Sequence, residues 1–67
     1  MLLEIEQLEY DIDETKFGPG RSFFLPCLAP KRARVLVERA MKQQKYTVFI
    51  KVVIEEGISG LRVWRMC

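Results

Sequence analysis

The run Tyr46–Glu56, YTVFIKVVIEE, alternates without interruption. Tyr46, Val48, Ile50, Val52 and Ile54 fall on one side and Thr47, Phe49, Lys51 and Val53 on the other, the two-residue period of a strand. The turn segment EGISG follows, and LRVWRM returns with Leu61 and Val63 on one face and Arg62 and Trp64 on the other. Two such runs across a glycine-bearing turn predict a β-hairpin. Upstream, Pro30 suits a first helical position, and KRARVLVERAMKQQ contains no breaker. Ala33, Leu36, Val37, Ala40 and Met41 recur at spacings of three and four and define a buried stripe. Arg34, Glu38, Arg39 and Lys42 lie outside it, with Glu38 and Lys42 spaced for an i,i+4 pair. RSFFLP reads as a short aromatic strand ended by Pro26, set off by the turn KFGPG.

The first fifteen residues, MLLEIEQLEYDIDET, fit two patterns. Leu3 and Ile5 alternate with glutamates, and Leu8, Tyr10 and Ile12 alternate in the opposite phase, as in extended chain bent near Gln7. A helix with Leu2, Ile5, Leu8 or Glu9, and Ile12 on one side fits nearly as well. The expectation is extended chain with a bend near Gln7. The expected fold is α+β: a small antiparallel sheet with one helix packed on one face, in the order β-α-β-β, preceded by an N-terminal strand on the extended reading. Residues 1–67 form a single domain, with 1–16 an acidic N-terminal segment and 20–66 the compact core. Val48, Ile50, Val52, Ile54, Leu61 and Val63 are the expected helix-facing set. Phe49, Lys51, Arg62 and Trp64 then share the open face.

Charge changes the picture more than composition does. Residues 1–16 hold six carboxylates against Lys16 alone; residues 17–67 hold ten Lys and Arg against Glu38, Glu55 and Glu56. The net charge of +2 hides this split. Such asymmetry is a sign of nucleic-acid contact or of a charged tail. It also arises when an acidic segment lies across a basic body and neutralises it. The helix start sharpens the question. Lys31, Arg32 and Arg34 stand in the first turn, where the macrodipole favours anions by about 0.3–1 kcal/mol each. Ala29 occupies the position where Ser, Thr, Asp or Asn would cap. An anion is the natural complement there: a phosphate, or a carboxylate from the acidic N-terminal segment. Solvated cations on a surface turn are the plainer alternative.

The candidate chemistry is otherwise sparse. Histidine is absent, and two distant cysteines with carboxylates make no familiar metal set. Gly18, Gly20, Gly57 and Gly60 belong to turns rather than to a phosphate loop. The expectation is a non-enzymatic protein without cofactor. No apolar run approaches the about 20 residues needed to cross a bilayer, and the acidic start lacks signal-peptide character. A cytoplasmic location with Cys27 and Cys67 as free thiols follows as the expectation.

Two segments carry a family resemblance. GPGRSFFLP and YTVFIKVVIEEGISGLRVWRM, joined by a basic helix, resemble a group of small, largely uncharacterised proteins of tailed bacteriophages that share a G-x-S-F-F-x-P segment and a C-terminal G-x-R-V-W-R strand. The matching positions are Gly20, Ser22, Phe23, Phe24 and Pro26, then Gly60, Arg62, Val63, Trp64 and Arg65. Arg21 departs from the acidic residue usual there, and residues before Gly20 lie outside the resemblance. It implies a phage origin, hence a host-cell cytoplasm, and no particular activity.

Three functions follow as expectations. The first is an accessory protein that binds DNA or RNA, with Lys31, Arg32, Arg34, Arg39 and Lys42 contacting phosphates and Arg62 and Trp64 pairing with or stacking on bases. The second is an inhibitor or modulator that docks on a host protein, its acidic segment mimicking or masking nucleic-acid charge. The third is a homodimer joined through the Phe49/Trp64 face. Trp64 reads first as a packing or interface residue, which makes the helix start PKRAR the sharper candidate for recognition.

Overall fold

The computed structural model describes residues 1–67, and it is α+β. The elements run β1 (Leu2–Ile5), β2 (Leu8–Asp11), β3 (Ser22–Pro26), α1 (Pro30–Gln43), β4 (Val48–Glu55) and β5 (Ile58–Arg65). β4 and β5 form the expected hairpin, and β3 adds to the other side of β5, so the antiparallel three-stranded sheet has the order β3-β5-β4. The turn is tighter than the sequence indicated. Only Glu56 and Gly57 lie between the strands, both at positive φ, and Glu55 pairs directly with Ile58. This is the two-residue turn whose twist matches the flanking strands. β5 therefore starts at Ile58 rather than Leu61.

The N-terminal segment is a hairpin of its own. β1 pairs antiparallel with β2, with Ile5 opposite Leu8 and both connecting residues, Glu6 and Gln7, left-handed at φ 54° and 67°. Its inward side chains Leu3 and Ile5 are buried in the same cluster as Val37, Leu25 and Leu61. The acidic segment is thus part of the core, packed against α1 on the helix-bearing side of the sheet. The Tyr10 hydroxyl donates to the Pro26 carbonyl at 3.0 Å and ties this hairpin to the end of β3. Phe17 follows it into the core edge-on to Phe23 and Tyr46, with ring centroids at 5.0 and 6.0 Å.

The helix buries Ala33, Val37 and Met41. Leu36, expected in that stripe, lies on its flank and is 44% exposed. Val52 and Ile54, expected under the helix, are 43% and 74% exposed. One fourteen-residue helix covers only the Val48–Ile50 end of β4; the rest of that face is shared with the hairpin over β3 and β5, so the far end of β4 stays bare. The helix ends in a tight cap. Tyr46 N–H donates to the Met41 carbonyl and Lys45 N–H to that of Lys42, with Lys45 left-handed at φ 62°. That is the usual bonding of a helix C-terminus, with lysine where glycine is commonest. Glu38 pairs one turn back with Arg34, at 2.9 Å, rather than forward with Lys42.

Candidate nucleic-acid interface

The expected contact residues divide between two surfaces. At about 100° per residue, Lys31, Lys42, Val35, Arg39 and Arg32 fall in that order within an arc of about 100°, diametrically opposite Ala33, Val37 and Met41. All five are exposed. None of the four cations lies within ion-pair distance of a carboxylate. They extend along the helix for about 17 Å at 1.5 Å per residue. Glu38 borders this stripe beside Lys31, and Arg34, about 60° outside it and exposed, donates its Nε to that carboxylate. The result is a ridge of four free cations with exposed Val35 among them, against which long Lys and Arg stems can lie.

Arg62 and Trp64 are elsewhere. Both project from β5 on the sheet face turned away from α1, alongside Phe24, Phe49 and Lys51. The Arg62 guanidinium is held in place: Nε and Nη2 donate to the two carboxylate oxygens of Glu55, Nη1 lies 3.5 Å from Ser22 Oγ, and the group sits 5.9 Å from the centroid of Phe24. Trp64 packs on Phe49 with centroids 5.6 Å apart. A bidentate, stacked arginine holds a fixed position on the sheet. The two groups of candidate residues are separated by the helix and the sheet together, so they do not form one continuous surface. Arg65 points to the helix side, 4.2 Å over the Tyr46 ring, and donates to the Phe17 carbonyl at 2.8 Å. It closes the core.

The helix start carries the anion that its charge asks for, and the anion is internal. The Glu6 carboxylate reaches across from the β1–β2 turn and accepts from Leu28 N–H at 2.8 Å and Ala29 N–H at 2.6 Å, one amide per oxygen. Pro30 has no N–H, and Arg32 and Ala33 already donate to the Ala29 carbonyl. Lys31 is left as the one first-turn residue whose amide lacks a partner. The tip of α1 therefore has little backbone to offer a phosphate. What remains for an outside anion is the flank of the helix. Sequence reasoning foresaw an internal carboxylate as one of two occupants but had no means of choosing Glu6, because the choice depends on where the β1–β2 turn docks.

The acidic side chains do not neutralise the basic body by pairing. Across all ion pairs, none joins a carboxylate of residues 1–16 to a Lys or Arg. The outward face of the hairpin instead shows Glu4 opposite Glu9, with Asp11 beside them, all exposed. Like charges directly across a strand pair repel. Asp13 is satisfied locally: the Thr15 hydroxyl at 2.6 Å, then its amide, hold that carboxyl below the ordinary aspartate value.

A groove of about 530 Å³ lies between the two hairpin turns, lined by Leu8, Tyr10, Cys27, Leu28 and Ile58. Its polar atoms are occupied: Tyr10 bonds Pro26, Ser59 Oγ donates to the Cys27 carbonyl, and Glu6 bonds the helix entry. Both cysteines are free, Cys67 exposed and Cys27 buried. Burial, and secondarily the Glu6 charge, push the Cys27 thiol above its usual value. No group of three or more Cys, Asp or Glu side chains is placed to hold a metal ion, and no helix is long and apolar enough to cross a membrane. Compared with protein-family models, curated proteins and solved structures, the chain matches none.

Proposed function

We propose that the protein is a small non-enzymatic accessory protein, of phage origin on the strength of the Gly20–Pro26 and Gly60–Arg65 segments, that binds nucleic acid through its phosphate backbone along the outer flank of α1. The observation that carries this reading is the ridge of Lys31, Arg32, Arg39 and Lys42, exposed on one arc and in no ion pair, the neighbouring Glu38 being held by Arg34. Uncompensated cations in a row raise the local potential and release counterions on meeting a polyphosphate. Such contacts position a backbone and do not read bases, so binding is sequence-tolerant. Arg34 adds a fifth cation once Glu38 yields it. The acidic outer face of the hairpin repels a polyanion and limits where it can lie.

A mobility-shift assay on the whole chain tests the reading. Replacing Lys31, Arg32, Arg39 and Lys42 by alanine abolishes the shift at low salt, whereas Trp64→Phe leaves it unchanged. Loss of binding on Trp64→Phe with the helix variant intact would move the interface to the sheet.

A second reading, a module that docks on a host protein and presents an imitation of nucleic-acid charge, draws on the Glu4/Glu9/Asp11 face. Removing residues 1–14 would strip Leu3 and Ile5 from the core, so charge-neutral substitutions separate the readings better. Glu4→Gln, Glu9→Gln and Asp11→Asn together strengthen nucleic-acid binding under the first reading. Under the second, nucleic acid does not bind either form.

A further inference from the structure

The outer edge of β4 is unblocked and self-complementary. The Met66 N–H donates to the Thr47 carbonyl at 2.7 Å, which fixes the phase: odd-numbered residues turn their backbone groups towards β5. The N–H and C=O groups of Val48, Ile50, Val52 and Ile54 therefore face outwards, and no backbone or side-chain partner meets them. The strand is eight residues long and has no proline. Phe49, Val52 and Ile54 flank the edge with 43–74% of their surface exposed. An open apolar edge of this kind is a template for another strand.

We propose that a second copy of this chain pairs with it: β4 joins β4 of the partner antiparallel, Val53 opposite Val53, in one continuous six-stranded sheet. The register follows from two conditions. Outward-facing residues must oppose outward-facing residues, so only every second register bonds. Among these, setting Lys51 against itself brings two ammonium groups together, and setting Val52 against itself places Lys51 opposite Val53 and Glu55 opposite Phe49. Centring on Val53 places Lys51 opposite the partner's Glu55, twice per dimer. Lys51 has no carboxylate partner within its own chain and stands across from Arg62. Glu55 accepts one bond per oxygen from Arg62 and keeps lone pairs for a further donor. On the other face, Val52 and Ile54 of each copy meet the partner's Ile54 and Val52, covering the end of β4 that α1 leaves bare.

The sheet stops at six strands because its outer edges are blunted. β3 is only five residues long. Pro26 has no N–H, and its carbonyl already accepts from Tyr10. The two-fold axis stands perpendicular to the sheet, which puts both α1 helices on one face and their basic ridges on the same side of the dimer. The pairing itself is independent of nucleic-acid binding.

Symmetric disulfide formation tests the register. Val53 belongs to a non-hydrogen-bonded pair, where facing Cβ atoms lie about 4.5–5.5 Å apart, whereas Lys51 and the partner's Lys51 lie about 13 Å apart along the strands. In a Cys67→Ala background, Val53→Cys oxidises to a covalent dimer and Lys51→Cys does not. Light scattering on the unmodified chain gives the mass of two copies, and Lys51→Glu raises the dimer dissociation constant about ten-fold. A one-chain mass at every concentration, or cross-linking at Lys51→Cys equal to that at Val53→Cys, overturns the proposal.

Discussion

Gly60 is the residue with the least freedom to change. A Cβ built on it would lie 2.3 Å from the Leu25 carbonyl oxygen and 2.9 Å from the Phe24 ring. Its backbone is ordinary for a strand; the constraint is close approach. It sits in the central strand, opposite Pro26 and Val53, and the Phe24 ring covers the space a side chain would take. Gly60→Ala is expected to cost about 1–3 kcal/mol, read as a lower urea midpoint with unchanged slope. Lys45 is the opposite case. It occupies the left-handed position after α1 at φ 62°, which L side chains enter at about 1–2 kcal/mol. Lys45→Gly keeps both capping bonds and should stabilise the chain by about 1 kcal/mol, measurable as a raised thermal midpoint. Neither cost is visible in hydrophobic patterning. Gly60 looked like turn punctuation because its neighbours Ser59 and Gly57 do, and only the close packing of β3 against β5 reveals otherwise.

Among the elements, α1 depends most on another part of the chain. Its sequence supplies no side-chain cap, no acidic residue in the first turn, and cations where anions are preferred. Glu6 provides the missing charge from the β1–β2 turn, although both turn residues adopt left-handed backbone there. Glu6→Ala removes the two amide acceptors without altering the turn's steric demands. The expected loss is about 1 kcal/mol after allowance for solvent exposure. Glu6→Gln, which keeps one acceptor, falls between; equal stability of all three forms, followed by chemical denaturation, would show that the cap contributes nothing. The helix, β3 and the β4–β5 hairpin were legible because their periods and breakers agree with their surroundings. The N-terminal segment was ambiguous because its apolar phase shifts across Glu6–Gln7, and that shift is the turn itself. The placement of Val52 and Ile54 was misjudged for a different reason: alternation assigns a face but cannot say how far one helix covers it.

At the scale of the whole molecule, the same split in charge is resolved in two ways. One acidic residue, Glu6, satisfies the helix entry; Glu4, Glu9 and Asp11 remain on the outer hairpin face, Asp13 and Glu14 accept from Thr15 and Tyr46, and none of the six pairs with a lysine or arginine. The helix ridge stays uncompensated. Its residue types were readable from the chain, and so was their exposure, but the separation of Arg62 and Trp64 from them was not. That separation arises because the helix and these two residues lie on opposite faces of the sheet, and because Glu55, four residues along β4 from the position opposite Arg62, takes the guanidinium. The most direct test of the account is the salt dependence of nucleic-acid affinity, measured by fluorescence anisotropy across a range of monovalent salt. With four phosphate contacts per chain, the logarithm of the association constant should fall against the logarithm of salt with a slope of about −3 to −4. Each of Lys31→Ala, Arg32→Ala, Arg39→Ala and Lys42→Ala should reduce that slope by about one. Absence of binding at low salt, or a slope that none of the four substitutions changes, would contradict it.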